Sequence, residues 1–340
     1  MSHSSKTRAW LSLAICLAAL SVVLYLGKDC SAQELWTTGW RKSQRNPVLS
    51  LSPAGAFDSQ NIFAPAIAKH EGRYYLFYAG GPSGPTTGEE FVNYQLGLAT
   101  SSDGVNFVKH GSPLMPLGAR DNFHATPALL RDEQGDLLLD EDGSWHMVFA
   151  GNRPDDVEHA TSPDGIVWQK DSRNPIYRKA YAPNIVQVGG ELRMYYVHKP
   201  PTGNWELHLA TGKDFYSLHP HVANPMLIIS QDWEAMHLVY PYVLRAGETW
   251  VMFYAAYWHS PTGGQKTAIG TAISADGIHW KKHRDNPVLT PTPGSLYDDV
   301  YTSSHAVIRD GDHYKMFYAG RIDSIHKYYA IALATKPIVD

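Results

Sequence analysis

One motif written repeatedly along the chain constrains the fold more than any other feature, because a short recurring unit can bury its apolar face only against copies of itself. Three segments, residues 97–107, 159–168 and 270–280, align almost letter for letter on the core Ser-x-Asp-Gly-x-x-(Trp/Phe). Each follows a run of alternating aromatics that ends on a small residue, at residues 74–80, 145–151 and 250–256. Period-two alternation closed by Gly or Ala marks half-buried strands. A proline follows each copy (Pro113, Pro175, Pro287) and stops one sheet before the next. A degenerate copy spans residues 194–215 and is followed by Pro225, and a last one spans 313–335 and ends one strand short. The missing strand lies at the other end of the chain, where residues 39–49 resemble residues 278–289. The expected fold is all-β: a five-bladed β-propeller over residues 33–340, closed by the N-terminal strand pairing into the last blade. Such closure removes the open strand edge of a linear array.

Composition agrees with that reading. Gly (28), Pro (22) and 12% aromatics suit turns and pleated strands, and charged residues at 18% fall below the usual figure of about 25%. In the repeated Asp-Gly, the aspartate bonds nearby amides and glycine takes positive φ, so Asp103, Asp164 and Asp276 are expected at hairpin turns, with Trp168 and Trp280 packing between blades. Residues 1–32 read as a signal peptide or membrane anchor: Lys6 and Arg8, an apolar stretch over 9–26, then Cys30, Ser31 and Ala32. The chain is therefore expected to be secreted or periplasmic, or held at a membrane by an uncleaved segment. Both cysteines, Cys16 and Cys30, lie in the leader, so the domain after it has no disulfide. A formal net charge of −4 without a basic patch points away from nucleic acid, and a monomer is expected. No HExxH, P-loop, GxGxxG or GxSxG is present, so no metal or cofactor is expected, an axial structural ion being left open.

Residues just ahead of each first strand are the ones to search for chemistry, because propeller strands begin around a central funnel. Pro65, Pro127, Pro183, Pro241 and His305 fall in register, and seven residues upstream stand Asp58, Arg120, Ile176, Glu234 and Asp298, with Asp121 one place later in the second blade. Converging carboxylates are what glycosyl transfer requires, one protonating the leaving oxygen while another attacks the sugar or activates water. Asp58 is the expected base or nucleophile, Asp121 the group that orients the sugar and Glu234 the general acid, desolvated by Trp233 and Met236. The alternative for each is a solvated loop residue or strand cap. Sugar contacts are expected from Asn61, His124, Tyr181, His237 and His305 on the strand approaches, from Arg153, Lys199, Trp258 and Arg321 after the second strands, and from Asp298.

The repeated Asn-Pro-Val-Leu (Asn46 to Leu49, Asn286 to Leu289), the Ala64-Pro65-Ala66-Ile67 strand with its aromatic partner, and Ser304-His305-Ala306-Val307 carry a resemblance to the five-bladed propeller glycosidases of the invertase, levansucrase and arabinanase superfamily, including glycoside hydrolase families 32 and 43. The resemblance spans nearly all of the chain after the leader. It implies a first-blade acid as nucleophile or base, a second Asp that stabilises the transition state and a Glu as acid. Ala64 stands where many family 43 enzymes carry that first Asp. The function so implied is an exported glycoside hydrolase acting on polysaccharide or oligosaccharide. A non-catalytic carbohydrate-binding propeller is the alternative, and a glycoside phosphorylase, needing a basic phosphate pocket and a single catalytic carboxylate, is a further one.

Overall fold

A computed structural model describes residues 36, 39–81, 93–118, 121, 123–151, 155–261, 264–323 and 329–338. The leader assigned to residues 1–32 lies outside the described residues. Apart from a short 3-10 turn at Asp232–Glu234, the regular elements among the described residues are strands. Of the 23 described strands, 20 group into five antiparallel units of four, and Leu49–Ser50, Arg131–Asp132 and Tyr177–Arg178 add short pairings beside them. Unit one is Asn61–His70, Arg73–Gly81, Gln95–Ser101 and Val108–Lys109. Unit two is His124–Leu129, Trp145–Gly151, Asp156–Ser162 and Gln169–Lys170. Unit three is Tyr181–Val188, Glu191–His198, Glu206–Gly212 and His219–Pro220. Unit four is His237–Ala246, Thr249–His259, Gln265–Ser274 and Lys281–Lys282.

Unit five is assembled from both ends of the chain. Tyr301–Asp310, His313–Arg321 and Ala330–Pro337 supply three strands, and Arg41–Lys42 supplies the fourth, with Lys42 opposite Ala334. Leu49–Ser50 adds a second pairing, to Ile331 and Ala330. The first strand of each unit packs on that of the next, and that of unit five packs on that of unit one.

Every first strand carries the same irregularity. Ala64, Thr126, Ala182, Tyr240 and Ser304 take positive φ between 37° and 53°, and at each the ladder to the second strand shifts register. The next residue is Pro in four units and His305 in the fifth. A bulge is where proline, which has no N–H, costs the ladder no bond.

The sequence repeats now acquire physical roles. In the Asp-Gly turns, Oδ1 of Asp103, Asp164 and Asp276 accepts the backbone N–H groups two and three residues on, and Oγ of Ser101, Ser162 and Ser274 accepts the glycine N–H. All three aspartates are exposed hairpin residues. The Asn of each Asn-Pro acts as a piece of extra strand: Asn174, Asn224, Asn286 and Asn46 each accept the N–H of a third-strand residue and donate to the carbonyl of that same residue, namely His159, Leu209, Thr271 and Leu333.

The aromatic after each turn packs on the preceding unit. Trp168 meets Phe77, Trp280 meets Tyr195, Phe107 meets Phe317 and Trp40 meets Phe253, all edge to face at 5.7–6.1 Å, while Phe215 stacks on His159 at 4.1 Å. Each such contact adds about 0.5–1.5 kcal/mol beyond the area it buries.

Candidate functional site

The carboxylates in register ahead of the first strands sit in a shared arrangement. Asp58 is buried, and its Oδ2 accepts from Lys109 Nζ at 2.5 Å and Tyr78 Oη at 2.8 Å. Glu234 accepts from Lys282 Nζ at 2.5 Å and Tyr254 Oη at 2.6 Å. Asp298 accepts from Lys42 Nζ at 2.5 Å and Tyr318 Oη at 3.0 Å. In each case the lysine comes from the fourth strand, two residues after the packing aromatic, and the tyrosine from the second strand of the same unit. Burial pushes the Asp58 pKa up, but its bonds to Lys109, Ser52 and Tyr78 outweigh this and hold it below the ordinary value. Asp58 and Glu234 share no partner, each being enclosed within its own unit.

Unit two departs from this pattern. Phe149 replaces the tyrosine, so no hydroxyl reaches the carboxylate. Glu158 instead occupies the third-strand position that is Gly97 in unit one and Gly270 in unit four, where a Cβ would lie 2.4 Å from Tyr78 or 2.7 Å from Trp233. Gly151, two residues beyond the Phe149 that pairs with Glu158, makes room, since a Cβ there would come 2.7 Å from the Glu158 carboxyl carbon. Lys170 Nζ consequently serves two carboxylates, Asp121 Oδ1 and Glu158 Oε2, each at 2.8 Å.

The two acids titrate in opposite directions. Burial raises the Glu158 pKa more than Lys170 lowers it. Burial also pushes Asp121 up, but Lys170, the Gly118 N–H and the nearby His124 more than cancel this and lower it. His124 Nδ1 lies 3.2 Å from the Met115 carbonyl, which fixes its proton there and leaves Nε2 facing Lys170 at 3.4 Å. Burial, with the charge of Lys170, takes the His124 pKa down to about 4, so the ring is neutral at physiological pH. Glu158 and Lys170 were not singled out from sequence. The signal was there, as a Glu in a glycine register beside a Phe in a tyrosine register.

The remaining expected site residues divide into groups. Tyr181, Lys199 and His237 come together: Lys199 Nζ stands 4.2 Å from the centre of the Tyr181 ring and 4.7 Å from that of Trp205, pairs with Asp155 at 3.0 Å, and Trp205 stacks on His237 at 4.4 Å. Burial lowers the pKa of both Lys199 and His237, and the ammonium lowers His237 further. Trp258 lines an open groove of about 520 Å³ with Trp233, Asp232, Lys266 and Asp299. Asn61 is buried and donates to Tyr94 Oη at 2.6 Å, and Arg321 lies buried over the Tyr301 ring. His305 is mid-strand rather than on a strand approach, and lines a cavity between the first strands. Arg153 lies outside the described residues. Among the described residues no cluster of His, Cys, Asp and Glu is placed to hold a metal ion, and no helix is long and apolar enough to cross a membrane.

With this geometry in hand, the chain can be set beside known proteins. No protein-family model matches it. It is 22% identical to an uncharacterised protein of Mycobacterium tuberculosis over 67% of this chain and 76% of that one. It is 24% identical to an extracellular exo-alpha-(1->5)-L-arabinofuranosidase of Cellvibrio japonicus, over 42% of this chain and 40% of that one. Among solved structures it superposes on a glycosyl hydrolase from Bacteroides ovatus with a TM-score of 0.69 at 18% identity, covering 90% of this chain and 97% of that one. A beta-1,2-mannobiose phosphorylase from Listeria innocua gives 0.65 at 14% identity, over 88% and 97%. The fold is shared with these two solved structures. At these identities the likeness establishes the fold alone.

Proposed function

We propose that the protein is an exported enzyme that cleaves glycosidic bonds, built as a five-bladed propeller closed by Arg41–Lys42, with its reacting carboxylates in unit two. The observation that carries this reading is the Asp121–Lys170–Glu158 cluster: two acids on one ammonium with pKa values pushed apart, the condition for one to attack while the other donates a proton. Their nearest oxygens, each 2.8 Å from one nitrogen, are at most twice that distance apart. Carboxylates this close are compatible with the roughly 5–5.5 Å between the carboxyl groups of retaining enzymes. In this mechanism protonated Glu158 gives its proton to the glycosidic oxygen as the bond to the leaving sugar breaks. Asp121 attacks the anomeric carbon, and Glu158, now ionised, takes a proton from the water that releases the sugar. The five aromatic contacts between units and the Lys42–Ala334 pairing support the closed propeller.

The test is a screen of the domain against aryl glycosides and plant and microbial polysaccharides, followed by four variants. Asp121→Asn and Glu158→Gln should each lower turnover by about 10²–10⁴-fold, E158Q less so on activated aryl leaving groups. Asp58→Asn and Glu234→Gln should lower stability while leaving turnover per folded molecule nearly unchanged. The reverse pattern would return the base to Asp58 and the acid to Glu234. Sugar binding with no turnover on any substrate would make the protein a carbohydrate-binding propeller. Lys199 beside His237 favours a second reading, phosphorolysis, in which phosphate takes the place of the attacking group. Turnover that requires inorganic phosphate would establish it.

A further inference from the structure

The five first strands line a partly open cavity of about 40 Å³, whose lining includes Thr126, Asn184, Tyr242, His305 and Arg131 but no acidic residue. Arg131 is only 3% exposed. Its Nη2 donates to Asn184 Oδ1 at 3.0 Å and to the Val243 carbonyl at 3.2 Å, and its guanidinium lies 4.1 Å from the centre of the Tyr242 ring. These partners are neutral. Its Nη1 and the buried Thr126 Oγ1 find no hydrogen-bond partner among the described residues. Burial holds the His305 pKa down to about 3, the Phe253 backbone offsetting only part of this, so the ring is uncharged and neither nitrogen meets a partner at hydrogen-bonding geometry.

The cavity thus holds one permanent positive charge and unspent donors, with no carboxylate among its lining residues. A buried charge left so is costly, and arginine cannot escape by losing its proton. Roughly 10–15 Å³ is enough for one water-sized particle, so this space has room for a small ion with water beside it. A metal cation fits poorly, since no carboxylate lines the space and the guanidinium would repel it. We propose that the cavity binds a single small monovalent anion of the halide class, held by Arg131 Nη1 and the Thr126 hydroxyl, with His305 as a neutral wall. The ion is the counter-charge that lets an arginine sit between the first strands.

The test uses the whole domain in chloride-free buffer, with chloride replacing a bulky organic anion at constant ionic strength. The thermal midpoint should rise with the logarithm of chloride concentration, by roughly 2–3 °C at tenfold excess over the dissociation constant. Bromide should substitute and give an anomalous scattering peak in the cavity. Arg131→Met should abolish the halide dependence. If R131M does not fold, Thr126→Val, which keeps the charge, should weaken halide affinity severalfold. A midpoint indifferent to halide, a cavity containing only water in bromide-soaked crystals, or the same dependence in R131M as in the parent chain would overturn the proposal.

Discussion

Lys109, Lys282 and Lys42 are each only partly exposed, and each ends on a buried carboxylate. Such a pair adds little over apolar packing, but losing one member strands the other without solvent. Lys109→Met should therefore cost about 3–5 kcal/mol in denaturant unfolding, and Tyr78→Phe about 1–3 kcal/mol. For Asp58 the folded pKa lies below the unfolded value. Its contribution is therefore present above about pH 4 and is lost as pH falls through the folded pKa, so D58N should flatten the acid limb of the stability curve. Glu158 runs the other way, its folded pKa being raised, so its contribution is lost as pH rises through that value. E158Q should consequently raise the thermal midpoint at neutral pH while turnover falls, a divergence that calorimetry beside a rate assay would register. At this scale the sequence was partly legible. The register of Asp58, Glu234 and Asp298 could be read from proline spacing, whereas the lysines that close on them come from strands 48–51 residues further along or, for Lys42, from the other end of the chain.

Among elements, the alternating aromatic strands and Asp-Gly hairpins were legible because their cause is local: pleat periodicity and the hydrogen-bonding reach of one aspartate. The bulges at Ala64, Thr126, Ala182, Tyr240 and Ser304 were not, since four different residue types share one positive-φ conformation and only a following proline, present in four of the five units, hints at it. The Asn-Pro motif was read through its proline alone, although the asparagine holds both backbone groups of a residue 15 positions earlier in three units. Asn174→Ala removes the partners of the His159 N–H and carbonyl together and should cost about 1–3 kcal/mol, read from the urea midpoint. Asn174→Asp keeps the acceptor only and should recover part of that loss.

For the whole molecule, the likeness between residues 39–49 and 278–289 pointed to a strand near the N-terminus that pairs with the last unit, and Lys42 lies opposite Ala334. Trimming the chain to begin at residue 46 deletes this strand, the Trp40–Phe253 contact and the Lys42–Asp298 pair in one step. The trimmed protein should unfold at a markedly lower temperature or fail to accumulate, whereas trimming to residue 33 should leave the midpoint unchanged. With Cys16 and Cys30 gone from that shorter chain, dithiothreitol should not shift it either.

The pairing of Lys42 with unit five also sets an order in time. As the chain is made, Asp298 and Tyr318 emerge last, while the ammonium that neutralises Asp298 has waited since the beginning. Until the two ends meet, the nearly finished molecule carries an acid that it cannot enclose without a large desolvation cost. Completion is thereby tied to a single late encounter across almost the full chain, which makes it slow but leaves a premature, partly closed form with little to hold it together.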